Sequence, residues 1–262
     1  ECELDLQATG VNAPEEGDLE FNNVSFRYEG SNKDQLSNIS FNIKKGETLA
    51  ILGSTGSGKS TLVNLIPRFY DVTEGSIKIG GKDIREIDRK SLQNSVGIVM
   101  QNTVLFSGSI ADNMRMGKED ATEEEMIDAL KKADIADFVL SLPDGLNHKI
   151  EQDATNISGG QRQRISIART LISEPDILIL DDSLSAVDLI TESKIRKALN
   201  KLKMTKIIIA QRISSIKDAN KILMIEDGKM LCYGSHDELY KTSAEYKEVY
   251  DSQVQSAEEG KL

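Results

Sequence analysis

Cysteine and histidine are scarce in this sequence, which limits the chemistry that it can carry. Its 262 residues include 2 Cys and 2 His. Cys2 and Cys232 are single and far apart, so the sequence predicts neither a disulfide framework nor a zinc site and favours a reducing compartment. The histidines are His148, within an insertion, and His236, in a late turn, and we expect both at the surface.

Basic residues are in deficit as well. The chain carries 32 Lys and Arg against 43 Asp and Glu, which gives a formal net charge of −11. Nucleic acid and anionic membrane surfaces repel a chain of this charge, so we expect neither to be its main partner. Any anion that it binds must therefore be held by a local set of donors.

Long hydrophobic runs are missing. No apolar run approaches the roughly 20 residues that a membrane-spanning helix needs, and the N-terminus has no secretory signal pattern. The sequence begins with Glu1 rather than Met. We therefore expect a piece of a longer protein, detached from N-terminal membrane helices.

What the sequence has instead is a glycine-rich loop between an apolar run and a helical pattern. Leu49–Leu52 precedes the loop, and Leu62, Leu65, Ile66 and Phe69 follow it at helical spacing. The loop consists of Gly53, Ser54, Thr55, Gly56, Ser57, Gly58, Lys59, Ser60 and Thr61. This strand–loop–helix setting is the one that a phosphate-binding P-loop requires.

Each residue type in the loop suits that chemistry. Glycines let backbone N–H groups turn inward, and the start of the following helix adds partial positive charge. Lys59 is placed to reach the outer phosphates, and the Ser60 hydroxyl can ligate Mg²⁺. A Gly/Ser-rich turn before a helix is the structural alternative, which the combined spacing, Lys-Ser pair and strand context disfavour.

The periodicity around the loop predicts an α/β domain with a linker at residues 1–17, a core at 18–250 and a flexible tail at 251–262. Alternating strands on both sides of the loop predict an antiparallel β subdomain. Residues 102–172 predict an α-helical insertion, which includes a capping box at Thr122–Glu125. The strands predicted after the insertion are Ile177–Leu180, Ile207–Ala210, Ile222–Ile225 and Met230–Tyr233.

Two carboxylates follow the first of these strands. Asp181 and Asp182 thus lie at the carboxyl end of a predicted buried strand, where ligands of parallel α/β sheets bind. Downstream of a P-loop, Asp181 is a candidate for holding Mg²⁺ beside Ser60. Taken alone, the pattern is equally typical of a core strand that runs into a loop.

A second glycine-rich helix start precedes this strand. It consists of Ser158, Gly159, Gly160 and Gln161. Such a helix N-terminus can bind an anion, although an ordinary Gly-rich N-cap has the same composition. The order of segments favours the functional interpretation, because the P-loop, Gln101 at a strand end, this helix start and the acidic strand end occur in one chain.

These segments together resemble the ATP-binding cassette (ABC) transporter family over about residues 18–250. Gly53–Thr61 is similar to the family's Walker A motif, Ser158–Gln161 to its signature motif and Gln101 to its Q-loop. Phe26–Tyr28 resembles the A-loop, which implies that Tyr28 stacks on adenine; alone, this Tyr is typical of an ordinary strand aromatic.

The resemblance also implies a mechanism. Arg68–Asp71 and Leu105–Ile110 are similar to exporter members, which have a RecA-like P-loop NTPase core and bind ATP with Mg²⁺. It assigns the metal to Ser60, Gln101 and Asp181. Two such domains enclose two ATP molecules, each P-loop facing the partner's signature motif, and closure is transmitted to a membrane-spanning domain at the cytoplasmic face of the cell membrane.

Two positions depart from the family pattern. Active members carry Glu as general base where this chain has Asp182, whose carboxylate is withdrawn by ~1.5 Å. Gln211 replaces the family's switch histidine and cannot carry a proton at neutral pH. A milder departure lies in Glu151–Ala154, where the family's acidic contact is Gln152 or absent. The resemblance gives catalytic roles to these first two positions and to Lys59 and Gln101.

We therefore expect one member of an asymmetric pair. Its own site binds ATP but hydrolyses it slowly, while its intact signature motif serves a partner chain with complete Glu and His. Two other classes remain open, a soluble ABC ATPase acting on DNA or translation and a non-enzymatic ATP-sensing module. A single cassette without zinc cysteines, a basic surface or a long coiled-coil insertion speaks against the first.

Overall fold

The structure is a computed structural model that describes residues 10–14, 17–101, 103–151, 154–182, 187–213 and 216–258. The chain forms two compact units. The first contains the described parts of residues 1–96 and 205–262, and the second those of residues 97–204. The mixed α/β fold with a P-loop and both antiparallel and parallel strand pairs confirms the predicted fold class.

The first unit contains the predicted antiparallel sheet. Its strands, in the spatial order β2-β1-β4-β5, are β1 (Leu19–Phe26), β2 (Leu36–Ile43), β4 (Glu74–Ile79) and β5 (Lys82–Asp83). Apolar residues alternate along β1 and β2 and are buried. Phe21 lies opposite Phe41, and their rings stack with centroids 4.4 Å apart. Such cross-strand aromatic pairs stabilise and fix register.

The same unit contains a second sheet built around a central strand. Its strands, in the order β12-β11-β3-β10, are β3 (Thr48–Leu52), β10 (Thr205–Ile209), β11 (Lys221–Glu226) and β12 (Lys229–Gly234). β3 pairs in parallel with β10 and β11 on its two sides, and all of its residues are buried. Continuous apolar strands are expected where both faces of a parallel sheet are covered. The helices of this unit are α1 (Lys59–Leu65), α2 (Arg89–Ser95), α8 (His236–Thr242) and α9 (Ala244–Glu258).

The second unit carries the predicted helical insertion. Its helices are α3 (Ile110–Arg115), α4 (Glu123–Lys132), α5 (Ala136–Ser141), a 3₁₀ turn (Gly145–Asn147), α6 (Gly159–Leu171) and α7 (Leu189–Asn200). Its strands are β6 (Val96–Val99), whose first residue belongs to the first unit, β7 (Gly108–Ser109), β8 (Lys149–Ile150) and β9 (Ile177–Asp181). β9 and β6 are neighbours in their sheet.

The predicted capping box at the start of α4 is confirmed. The Thr122 side chain accepts a hydrogen bond from the Glu125 N–H, and the Glu125 carboxylate accepts one from the Thr122 N–H at 2.8 Å. Met126 and Leu130 are buried on the inner face of the helix. The capping box defines where α4 begins, and the buried apolar face defines how it packs.

Helix α1 is shorter than the apolar spacing predicts. It ends at Leu65, and Arg68 adopts a left-handed backbone conformation with φ of 56°. Phe69, predicted on the inner helix face, is therefore 41% exposed. A left-handed residue after the last turn is a usual way for a helix to end, and apolar periodicity alone does not reveal it.

Parts of the predicted linker and tail are ordered against the first unit. Val11 donates its N–H to the carbonyl of Glu86 at 3.1 Å and accepts from the Asp88 N–H at 2.8 Å. Residues 251–258 form the second half of α9. Among the described residues, no helix is both long and apolar enough to cross a membrane.

Candidate active site

The glycine-rich loop leaves the carboxyl end of β3 and enters α1. Gly53, Gly56 and Gly58 have φ values of 152°, 85° and 106°, which only glycine adopts readily. A Cβ at Gly53 would lie 2.1 Å from the carbonyl oxygen of Ile225, and one at Gly58 would lie 2.8 Å from Leu36 Cδ2. The space around Gly56 is open, with no heavy atom within 4 Å of a Cβ built there. The glycines therefore serve both backbone turns and close packing.

The amine of Lys59 is held inside this loop. Nζ donates to the carbonyl oxygens of Gly53 at 2.8 Å and Ser54 at 2.6 Å, and it lies 3.5 Å from Ser57 Oγ. Phosphate oxygens are stronger acceptors for an ammonium group than neutral carbonyls, because the hydrogen bond is charge-assisted. The N–H groups of the first turn of α1 have no partners within the helix and face its N-terminal end. These donors fit the phosphate chain of a nucleotide.

Tyr28 lies beside the same helix. It follows the end of β1, and its hydroxyl oxygen lies 3.0 Å from Thr61 Oγ1 in α1, within hydrogen-bonding distance. Its ring makes edge-to-face contacts with Phe26 at 4.8 Å and Tyr70 at 5.3 Å between centroids. The first unit thus brings Tyr28 to the helix that follows the loop.

The second unit brings Gln101 and Asp182 together. Gln101 comes shortly after β6 and Asp182 directly after β9, and the Gln101 Nε2 donates to Asp182 Oδ2 at 3.2 Å. Because the two strands are neighbours, their adjoining residues can meet. Asp182 has a φ of 45°, a left-handed conformation that Asp tolerates better than most residues. Asp181 is the last residue of β9 and is half-buried.

The second glycine-rich segment forms the N-terminus of α6. Ser158 is the N-cap, and it forms a capping box in which its N–H donates to Gln161 Oε1 at 2.9 Å. A Cβ built on Gly159 would have one heavy atom within 4 Å outside the nearby helix backbone, Arg162 Nη2 at 4.0 Å. Gly159 and Gly160 are helical. In the described structure, therefore, neither packing nor backbone conformation demands a glycine at position 159.

Gln211 is exposed and follows the residue after β10. Its backbone oxygen accepts a hydrogen bond from Gln253 Nε2 at 2.9 Å, and Gln253 Oε1 accepts one from the Ile213 N–H at 2.7 Å. One side-chain amide of α9 thus fixes the backbone on both sides of Arg212. Sequence reasoning missed Gln253 because the surrounding polar, acidic segment predicts a tail.

His236 lies at the start of a helix and not in the predicted turn, and one predicted contact cannot be located. His236 is half-buried at the start of α8, hydrogen-bonded through Nδ1 to the hydroxyl of Tyr246 at 2.8 Å. Burial raises the pKa of Tyr246 to about 12. His148 is also only half-exposed. Gln152, the milder departure from the family pattern, lies outside the described residues.

Comparisons with known proteins agree on one family. The sequence model of the ABC transporter family matches residues 36–185. "Putative multidrug export ATP-binding/permease protein YgaD" of Bacillus subtilis (strain 168) is 46% identical over 239 residues, 90% of this chain and 41% of that protein. "Uncharacterized ABC transporter ATP-binding protein YfiB" of the same strain is 47% identical over 237 residues, with the same shares.

A solved structure shows the same fold. It is described as "Structure of a bacterial Atm1-family ABC exporter with ATP bound", and it aligns with a TM-score of 0.89 at 36% identity over 94% of this chain and 44% of that one. The chain spans about two fifths of the length of the curated relatives that it matches, 41% in both cases.

Proposed function

The chain belongs to the ABC transporter family, and on this premise we propose that it is the ATP-binding domain of an exporter at the cytoplasmic face of the cell membrane. It dimerises with a partner domain around ATP and drives a membrane-spanning domain. The exporter members among the comparisons, and the exporter-like segments Arg68–Asp71 and Leu105–Ile110, favour transport over a soluble ATPase.

The observation that carries ATP binding is the position of the Lys59 amine. It lies between the carbonyl oxygens of Gly53 and Ser54, next to the N-terminus of α1. There an incoming phosphate can replace either carbonyl as the hydrogen-bond acceptor of the amine. Mg²⁺ would be held through oxygen ligands, among them the Ser60 hydroxyl at the start of α1, which is a donor type that suits this ion. Bound Mg²⁺ neutralises charge on the phosphate chain.

The open N-terminus of α6 supports a role toward a partner. Gly159 is the first residue of α6, and neither a close contact nor a positive φ requires glycine there. Space in front of Gly159 would let a phosphate approach the backbone N–H groups. We assign Ser158–Gln161 to the ATP held on the partner's P-loop, which is how the family arrangement uses it.

Two features support slow hydrolysis at this chain's own site. A general base must touch the attacking water, and the side chain of Asp182 is one carbon shorter than the usual Glu. One of its oxygens already accepts a hydrogen bond from Gln101. Gln211 can donate a hydrogen bond to a γ-phosphate but cannot carry the proton of a histidine. The partner chain therefore supplies the faster of the two sites.

The first prediction tests this assignment in the assembled pair. The native complex is purified with its partner chain, and release of phosphate is measured for the wild type and for Asp182→Glu with Gln211→His. We expect the double variant to raise ATPase activity at least about tenfold, because it restores a general base. The matched control is Asp182→Gln with Gln211→His, in which the side chain at 182 has the length of Glu without a basic carboxylate; its rate should stay low.

Two outcomes would contradict the proposal. The chain paired with itself could turn over ATP as fast as an ordinary exporter domain, or the Asp182→Glu, Gln211→His variant could show no gain. Single-turnover measurements in the native pair separate slow catalysis from none. Slow but complete single-turnover hydrolysis at this site supports the proposal, whereas ATP that is never hydrolysed there identifies an ATP-sensing module instead.

A further inference from the structure

The turn between β11 and β12 lies against the glycine-rich loop of the same unit. Its central residues, Asp227 and Gly228, have φ values of 47° and 74°, as a tight hairpin turn requires. The Gly228 N–H donates to the carbonyl oxygen of Ser57 at 3.0 Å. On the same side, the carbonyl of Ile225 occupies the space where a side chain of residue 53 would begin. The loop is thus supported by a turn distant in sequence.

The last residue of β11 makes the strongest of these contacts. Ser54 Oγ donates to Glu226 Oε1 at 2.6 Å, and the Ser54 N–H lies 3.4 Å from Glu226 Oε2. Both carboxylate oxygens thus face one residue of the loop. Hydrogen bonds to a charged acceptor are stronger than those between neutral groups.

Ser54 connects this carboxylate to the lysine of the loop. While its hydroxyl and N–H face Glu226, its carbonyl oxygen accepts from Lys59 Nζ at 2.6 Å. Fixing the orientation of Ser54 therefore fixes one of the oxygens that hold the Lys59 amine. A carboxylate repels phosphate, so Glu226 is suited to act through Ser54 rather than on the ligand itself.

We propose that Glu226 is a positioning residue for nucleotide binding, which orients Ser54 and, through its carbonyl, the Lys59 amine that receives the outer phosphates. The inference rests on the proposed binding of ATP at this loop. It predicts that the hydrogen-bond acceptor at 226 matters more than its charge. It also predicts that the effect of residue 226 depends on the hydroxyl of Ser54.

The test measures the affinity of the full chain for a fluorescent ATP analogue and for ADP, both with Mg²⁺. Glu226→Ala should weaken both about fivefold, the order expected for loss of one ordinary hydrogen bond. Glu226→Gln keeps an acceptor oxygen and should stay within about twofold of the wild type. Glu248→Gln, which removes an exposed carboxylate of α9, is the charge control and should change neither affinity.

A double-variant cycle with Ser54→Ala tests the connection. Ser54→Ala should itself weaken binding about fivefold, and adding Glu226→Ala to it should cause less than about twofold further loss. Thermal unfolding without nucleotide, measured on every variant, identifies general damage to the fold. If Glu226→Ala fails to fold, the test instead compares Ser54→Ala with Ser54→Thr, which retains the hydroxyl.

The two proposals fail in different ways. A wild-type chain that does not bind ATP overturns the proposed function. A wild-type chain that binds ATP, with Glu226→Ala or Ser54→Ala equal to it, overturns the positioning role alone. Full additivity of the two substitutions, or a Glu226→Gln variant as weak as Glu226→Ala, also overturns it.

Discussion

At Gly53 the requirement for glycine comes from two separate causes. The residue has a φ of 152°, and a Cβ on it would lie 2.1 Å from the Ile225 carbonyl oxygen and 2.6 Å from Ser57 Oγ. A side chain would have to move the backbone of β11 or of the loop itself. Real Cβ atoms do not come so close to backbone oxygen, so either shift would misplace the groups around Lys59.

This gives the prediction that Gly53→Ala weakens nucleotide binding at least about tenfold, since overpacking of this kind costs about 1–3 kcal/mol. The control is Gly81→Ala, at a φ of 78° with no heavy atom within 4 Å of its Cβ, which adds backbone strain without a clash. Fluorescent-nucleotide titration and thermal unfolding are measured on both. Equal affinities for the two variants would speak against a structural role for the Ile225 contact.

At the residue scale, the sequence indicates candidate site residues but not how they interact. The spacing of Gly53–Thr61 sufficed for the P-loop because its glycines and lysine act through the local backbone. The bond between Gln101 and Asp182 joins residues 81 positions apart, and that between Ser54 and Glu226 joins residues 172 apart. No local periodicity encodes such pairs, so they became visible only in the fold.

At the scale of a single element, the N-cap of helix α4 can be tested by substitution. The Thr122 hydroxyl satisfies one N–H of its first turn, and three acidic residues follow at its start. We predict that Thr122→Ala destabilises the second unit by about 1 kcal/mol, while Thr122→Ser, which keeps the hydroxyl, stays close to the wild type. Denaturant unfolding measures the difference, and hydrogen exchange along Glu123–Lys132 should show faster opening in Thr122→Ala. Unchanged exchange in α4 would contradict the role of the cap.

Elements with a strong pattern were predicted correctly, and those with a weak one were missed. The strands that precede the loop alternate or are continuously apolar, so their type and their place along the chain followed from the sequence. The two-residue strands β5, β7 and β8 are too short to have a period. The second half of α9 is mostly exposed and polar, so its helical state depends on contacts such as that of Gln253 rather than on an apolar face.

For the whole molecule, bound nucleotide should raise the free energy of unfolding. A ligand that binds only the folded chain stabilises it by about 2.7 kcal/mol at one hundred times its dissociation constant. We predict that MgATP raises the unfolding temperature and that EDTA removes much of the rise. Ser60→Ala should bind ATP with less dependence on Mg²⁺, whereas Ser252→Ala, at an exposed position in α9, should behave as the wild type. Equal EDTA sensitivity of Ser60→Ala and Ser252→Ala would contradict the assignment of Ser60 as a ligand of the metal.

The hydrogen bonds of Gln253 limit how far the chain can be truncated from its C-terminal side without loss of contacts at Gln211. A chain truncated after residue 250 would keep every sequence motif from Gly53–Thr61 to Gln211. It would lack the amide that binds the backbone of Gln211 from 42 positions downstream. A fragment that keeps both of these hydrogen bonds must therefore extend at least to Gln253, beyond the last of its recognisable motifs.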